Sequence, residues 1–426
     1  MPGARAERKA AKGPRPRIRR PRLNVPQAWR PLVAPGLILV AATLALWLGP
    51  SLPASLAGLQ ALGPYAVLGA AVAVAFTFNR GRSLILAGTL LAAFFAYRYA
   101  ISAGPLAGKA VYSALSVLVP LNALAVLVGE ERGVRHHGAW RWLVVLAVEA
   151  LLVAWIVAAT RGAAPFWAPA LDHWALRSPP TPLLGRLAFA VAIAVAAWRA
   201  WPRHTPLEMG FAASLVAFFI ACEFRDAAAV FNGFFAVAGA LLLVALLQES
   251  YRLAFYDELT GVPGRRALQE RLRALGTRYT IAMVDVDHFK QFNDTHGHDV
   301  GDQVLKLVAA RLTEVEGGGF AYRYGGEEFS VLFPDKGIDE ALPALDAIRA
   351  SIESYRMAVR AKGRPKDPQE GTRQRGAGVG SDALSVTVSI GVAERGGRHS
   401  TPDKVMKAAD AALYRAKQAG RNRVMS

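Results

Sequence analysis

Two stretches decide the fold of the C-terminal part: Tyr279-Thr280-Ile281-Ala282-Met283-Val284-Asp285-Val286-Asp287, and Tyr324-Gly325-Gly326-Glu327-Glu328-Phe329 with its flanks Phe320–Tyr324 and Glu328–Phe333. The first is a continuous apolar run, read as a buried strand, that ends in two carboxylates. The second places a Gly-Gly turn between two apolar strands and follows it at once with two more carboxylates. Paired glycines let a backbone approach a ligand closely. Acids at a strand end and at a neighbouring hairpin can share one hard cation, Mg²⁺ or Mn²⁺, with substrate phosphate completing the shell. A lone acidic pair is usually a solvated turn. Two such clusters after two hydrophobic strands favour a metal.

Outward from these runs, helices alternate with strands. The pattern predicts helices over 265–275, 299–314, 340–360 and 402–419, and a further strand over 383–393. That alternation predicts an α/β sandwich on a mostly antiparallel sheet. Residues 361–382, rich in Arg, Lys, Gly and Gln, read as a disordered insert.

The preceding half is different in kind. Of the 426 residues 53% are hydrophobic, yet the net charge is +18. Residues 1–247 carry 23 Lys/Arg against 8 Asp/Glu; residues 248–426 carry 27 against 24. Apolar runs of membrane-crossing length fall at 32–49, 58–78, 83–103, 110–128, 140–159, 184–201, 207–222 and 229–247. The connectors alternate between basic and less basic, as the positive-inside bias requires with both termini cytoplasmic. That bias explains the excess cations without a nucleic-acid partner. Residues 1–31 read as a basic cytoplasmic tail, 32–247 as an all-α transmembrane bundle of about eight helices, 248–256 as a connecting helix and 257–426 as the soluble domain. Arg98 and Glu149 lie within spans. Arg98 is read as snorkelling, and Glu149 equally as a ligand or proton site or as an interhelical hydrogen bond. The only cysteine is Cys222, which excludes an intramolecular disulfide and a Cys-based metal site.

Six blocks, in order, resemble the GGDEF domain of bacterial diguanylate cyclases: Asp257–Arg266, Asp285–Asp294, Gly297-His298 with Gly301-Asp302, Gly325–Phe329, Ser385–Ala393, and Ala409–Lys417 through Gly420-Arg421-Asn422. The resemblance covers about two-fifths of the chain. It implies a nucleotidyl-cyclase-like, palm-like α+β sandwich. The activity implied is condensation of two GTP into cyclic di-GMP with release of two pyrophosphates, dependent on Mg²⁺ or Mn²⁺. Because one domain holds one GTP, it implies a homodimer, here anchored in the bacterial inner membrane.

Position by position, the resemblance implies Asp285, Glu327 and the Val286 carbonyl as metal ligands. Glu327 and Lys290 become the catalytic residues, Lys290 placing an ammonium near the phosphates. Asn293 and Asp302 would read guanine. Gly325 and Gly326 would let the backbone pass the phosphates, and Lys417 and Arg421, four apart on one helix, would clamp them. An inhibitory Arg-x-x-Asp product site is common in the family. Its positions here are Glu316 and Gly319, so no product inhibition is expected through it. A catalytically silent GTP-binding receptor or scaffold on the same fold is the alternative, disfavoured by the intact blocks. The signal sensed by the membrane half is not legible.

Overall fold

Long runs of Ala, Leu, Val and Phe with almost no charge make the first half helical, and in the computed structural model they form, among the described residues, eight α-helices. These are α1 (Arg30–Leu48), α2 (Ala57–Thr77), α3 (Gly81–Ala103), α4 (Pro105–Val128), α5 (Ala139–Ala159), α6 (Leu183–Arg203), α7 (Pro206–Glu223) and α8 (Ala228–Phe255). The structure describes residues 30–48, 57–131, 133–134, 139–162, 164–174, 176, 181–203, 205–358, 383–397 and 399–426. The expectations for the basic tail, residues 1–29, and for the insert at 361–382 lie outside the described residues. Among the described residues, six helices, α3 to α8, are long and apolar enough to cross a membrane. The chain divides into two compact units, 1–249 and 250–426.

Side chains hold the first unit together in two ways. Aromatic rings interlock, with Phe94 4.9 Å from Phe235 and Phe231 5.0 Å from Phe235 between ring centroids. Buried polar groups pair. Arg82 of α3 meets Glu208 of α7 at 2.7 Å and donates its Nε–H to the Val126 carbonyl of α4 at 2.9 Å. Arg98 is exposed, which fits snorkelling.

The second unit is built on a five-stranded sheet in the order β2-β3-β1-β6-β7. Its strands are β1 (Tyr279–Val286), β2 (Phe320–Gly325), β3 (Glu328–Pro334), β6 (Val388–Glu394) and β7 (Val424–Met425). All pairings are antiparallel except β6 with β7. A two-residue ribbon, β4 (Met357–Ala358) with β5 (Ala383–Leu384), lies apart from the main sheet. Helices α9 (Arg265–Arg273), α10 (Phe289–His296), α11 (His298–Thr313), α12 (Ile338–Ser354) and α13 (Pro402–Gln418) complete the unit. Strand β1 is buried along its whole length, so side-chain alternation feeds two cores. Ala282, Val284 and Val286 join Val304 and Val308 of α11 and Leu345 of α12. Tyr279, Ile281 and Met283 join Leu268 of α9 and Val405, Ala409 and Leu413 of α13. The result is the expected α/β sandwich.

Two local expectations are corrected, and one helix was not expected. The helix expected over 340–360 stops at Ser354, because Tyr355 turns extended and the chain enters β4. The strand expected over 383–393 is two strands, β5 and β6, separated by Ser385-Val386-Thr387. Helix α10 went unread. It starts after His288, held in the left-handed conformation at φ 57°, which a sequence pattern does not announce. At Gly391 of β6 an added Cβ would lie 2.0 Å from the Leu413 nitrogen and 2.2 Å from the Ala409 carbonyl oxygen, so the α13 backbone rests directly on the strand.

Candidate active site

Asp285 is the penultimate residue of β1 and is 5% exposed. The antiparallel register sets it opposite Glu328 on one side and Ser389 on the other. Directly paired residues share a face, so the Glu328 carboxylate rises beside that of Asp285. Glu327 precedes β3 in the turn, and its carbonyl accepts the Val286 N–H at 3.4 Å. The end of β1 and the hairpin turn therefore meet.

One cation faces the carboxylates. Lys417 Nζ lies 2.9 Å from Asp285 Oδ1. Burial pushes the Asp285 carboxyl above its ordinary range against the pull of Lys417; the nearby Asp287 adds to the rise and Arg421 opposes it. Glu327 and Glu328 are also pushed up, first by burial and then by the Asp285 charge. Burial is the main cause at all three carboxyls, and the Asp285 charge adds to it at the two glutamates. The donors are all hard oxygens, suited to Mg²⁺ or Mn²⁺. Among the described residues no three His, Cys, Asp or Glu side chains converge as a metal-binding set.

The neighbouring Asp287 has a different job. Its carboxylate accepts from Thr387 Oγ1 and Ser389 Oγ, both at 2.7 Å, and from the Asn422 N–H at 3.1 Å. Saturated in this way, it ties β1 to β6 and to the turn after α13.

The turn itself is held by a residue that the sequence reading passed over. Arg323 donates Nη2–H to the Gly326 carbonyl at 2.6 Å and Nη1–H to Asp257 Oδ1 at 2.7 Å. Asp257 also accepts from the Thr260 N–H at 2.9 Å and its hydroxyl at 2.6 Å. Burial raises the Asp257 carboxyl, but the Thr260 and Arg323 hydrogen bonds outweigh it and hold it below the usual range. The Asp257–Arg266 block is thereby strapped to the hairpin. The signal was present in the sequence as an Arg two residues before the Gly-Gly pair, in a strand. Gly326 adopts φ +50°, which favours glycine, and no atom stands within 4 Å of an added Cβ at Gly325 or Gly326. The turn is open to a ligand.

Lys290 and Asn293 both lie on α10, and Asp302 in the first turns of α11. Lys290 and Asp302 are exposed. Asn293 Oδ1 is buried with no hydrogen-bond partner among the described residues. It packs where Gly301 would carry a Cβ, at 1.8 Å, so only glycine at 301 admits this amide. The sequence reading noted Gly301 without giving it this role.

Lys417 and Arg421 do not share a helical face, contrary to expectation. Helix α13 ends at Gln418, and Gly420 (φ +103°), Arg421 (φ +59°) and Asn422 (φ +47°) form a left-handed turn. The Arg421 N–H closes it on the Ala416 carbonyl at 3.0 Å. Both cations still act on Asp285, Lys417 by contact and Arg421 from farther away.

Known proteins are similar to the second unit. Residues 254–370 and 373–423 match the family described as "Diguanylate cyclase, GGDEF domain". The response regulator PleD of Caulobacter vibrioides is 37% identical over 187 residues, 42% of this chain and 37% of that protein. The diguanylate cyclase VdcA of Vibrio cholerae is 38% identical over 176 residues, 40% of this chain and 47% of that protein. The crystal structure of the coiled coil and GGDEF domain of DgcB from Caulobacter crescentus in complex with c-di-GMP is 36% identical. It covers 42% of this chain and 88% of that one, with a TM-score of 0.36. The chain thus spans less than half the length of these two curated relatives. The C-terminal unit of this chain is a GGDEF domain of the diguanylate cyclase family.

Proposed function

We propose that the chain is a membrane-anchored diguanylate cyclase that condenses two GTP into cyclic di-GMP and two pyrophosphates. The observation that carries this reading is the buried Asp285 carboxylate, set against Glu328 and the Glu327 turn with Lys417 at 2.9 Å. Asp285, Glu327 and the Val286 carbonyl would hold Mg²⁺ or Mn²⁺, which supplies positive charge at the phosphates when bound.

The remaining work falls to the chain's own groups. The 3′-hydroxyl of one GTP attacks the α-phosphorus of the other; a P–O bond forms and pyrophosphate leaves. Glu327 takes the hydroxyl proton. Lys290, exposed on α10, offers its ammonium to the phosphates. Lys417 and Arg421 bind the triphosphate from the end of α13, and the open Gly325-Gly326 backbone lets it lie close. Asp302 accepts from guanine N1–H and the 2-amino group. The partnerless Asn293 amide oxygen supports a polar base pocket there, because a buried acceptor is costly until a donor arrives.

Each product needs two GTP face to face, so the active unit is a homodimer. The six long apolar helices support an inner-membrane location, and helix α8, ending at Phe255, supports control of dimer meeting by the membrane part. Purified full-length chain, incubated with GTP and Mg²⁺ and resolved by chromatography, is expected to give cyclic di-GMP; Glu327→Gln is expected to give none. A wild-type protein that binds GTP without turning it over would instead favour the silent receptor.

A further inference from the structure

Between α3, α4 and α5 the first unit contains a cavity of about 290 Å³. Most of its wall is apolar, from Ala93, Ala96, Leu115, Val119 and Val153. Three side chains bring polar groups to that wall; one, Tyr99, already accepts from Arg161 Nη2 at 3.5 Å. Glu149 lines it, its Oε1 accepting from Asn122 Nδ2 at 2.8 Å. Thr89 lines it as well, 2% exposed, its hydroxyl lacking any partner among the described residues.

The threonine is the telling one. A helical threonine commonly gives its hydroxyl proton to the carbonyl one turn back. Thr43 and Thr77 in this chain do so, each at 2.8 Å. Thr89 does not, and its oxygen is left buried at a cavity wall. A buried hydroxyl without a partner is unfavourable until something supplies one. Glu149 answers it from another helix, and its own sequence position had left a ligand role open.

We propose that this cavity is a binding site for a membrane-soluble alcohol: a single apolar chain or ring system carrying one hydroxyl. The hydroxyl donates to the Glu149 carboxyl and accepts from Thr89, while the body fills the apolar remainder. An alkane leaves the Thr89 hydroxyl unanswered. The volume falls just short of the about 300–1,000 Å³ range of small-molecule sites, too small for a two-chain phospholipid. The inference concerns the first unit alone and does not depend on the chemistry of the second.

The test uses the full chain in phosphatidylcholine nanodiscs, irradiated with 1-decanol carrying a mid-chain diazirine, with labelled peptides mapped by mass spectrometry. Saturable labelling is expected within residues 89–99, 115–119 and 146–154, displaced by 1-decanol but not by decane. Thr89→Val keeps the side-chain shape and is expected to weaken half-saturation by about three- to tenfold, the worth of one hydrogen bond. Ala96→Phe fills the space and is expected to remove the labelling; where that variant fails to fold, Thr89→Val decides. Displacement by decane as strong as by decanol overturns the proposal, and so does labelling unchanged in Thr89→Val. Equal labelling of the same residues by a diazirine phosphatidylcholine also overturns it and makes the cavity a seat for bulk lipid. Cyclic di-GMP formation plays no part in the readout, so failure here leaves the enzyme reading standing.

Discussion

Lys417 Nζ stands 2.9 Å from Asp285 Oδ1, joining the last turn of α13 to the end of β1. The carboxylate is nearly buried while the lysine side chain is 33% exposed. Lys417 can therefore swing between Asp285 and an incoming phosphate. Lys417→Met is expected to lower kcat/KM for GTP by about ten- to hundredfold, the range for one charged hydrogen bond. Steady-state kinetics on the full chain checks this, and a change below twofold would remove Lys417 from the site.

Metal should stabilise the protein through the same cluster. Asp285, Glu327 and Glu328 all have carboxyls raised in the fold. A raised carboxyl contributes stability below its unfolded value, and that contribution is lost as pH rises through the folded value. At neutral pH the metal-free domain therefore carries a desolvation cost at these carboxylates, to which the Asp285 charge adds at the two glutamates. Adding Mg²⁺ or Mn²⁺ is expected to raise the melting temperature of its transition, and EDTA to reverse the gain. Asp285→Asn should melt higher than wild type without metal and respond little to Mg²⁺. A wild-type transition indifferent to both cations would contradict the metal assignment.

Arg323 is expected to matter without touching substrate, because it ties the Gly326 carbonyl to Asp257. Arg323→Lys keeps the charge but not the forked geometry. A fall of about tenfold in kcat is expected, with a smaller effect on KM. Asp257 adds a pH signature. Its carboxyl is held below the unfolded value, so its contribution is present above that value and lost as pH falls toward the folded one. Acid unfolding of wild type should therefore show a loss of stability below about pH 4 that Asp257→Asn lacks.

At Gly301 an added methyl would collide with Asn293 Oδ1. Gly301→Ala is expected to push the amide out of place and weaken GTP binding by about tenfold. Asp302→Ala should instead erode the preference for GTP over ATP. Binding measured with both nucleotides separates the two effects.

Product inhibition is expected to be absent through the Arg-x-x-Asp position. Glu316 precedes Gly317 (φ +70°) and Gly318 (φ +82°), and Gly319 packs where a Cβ would meet Phe333 and Val315 at 2.8 Å. This turn has no room for the side chain that such a site needs. Turnover assayed against added cyclic di-GMP should fall only by competition; strong non-competitive inhibition would contradict this.

The sheet and its acidic end were legible because β1 announces itself as an unbroken apolar run and the Gly-Gly-Glu-Glu turn is local chemistry. The apolar helices were legible for a similar reason, length and hydrophobicity being properties of single segments, and among the described residues six of the eight expected spans are long and apolar enough to cross a membrane. What escaped depends on φ or on distant partners. Helix α10 begins at a left-handed His288, and α13 stops three residues short of Arg421 because the chain turns left-handed at Gly420. Neither event has a periodicity. Arg323 reaches Asp257 66 positions away, Gly301 makes room for Asn293 8 positions away, and Asp287 meets groups 100 to 135 positions away; a linear pattern cannot show those meetings.

The contact at Gly391 has one more consequence. Because main chain rests on main chain there, the standoff between β6 and α13 has no adjustable padding. The placement of the Lys417 ammonium is thus inherited from a hydrogen atom on a neighbouring strand. Even a single methyl at 391 would lever the helix outward and carry the cation away from Asp285, with every charged residue of the site left unaltered.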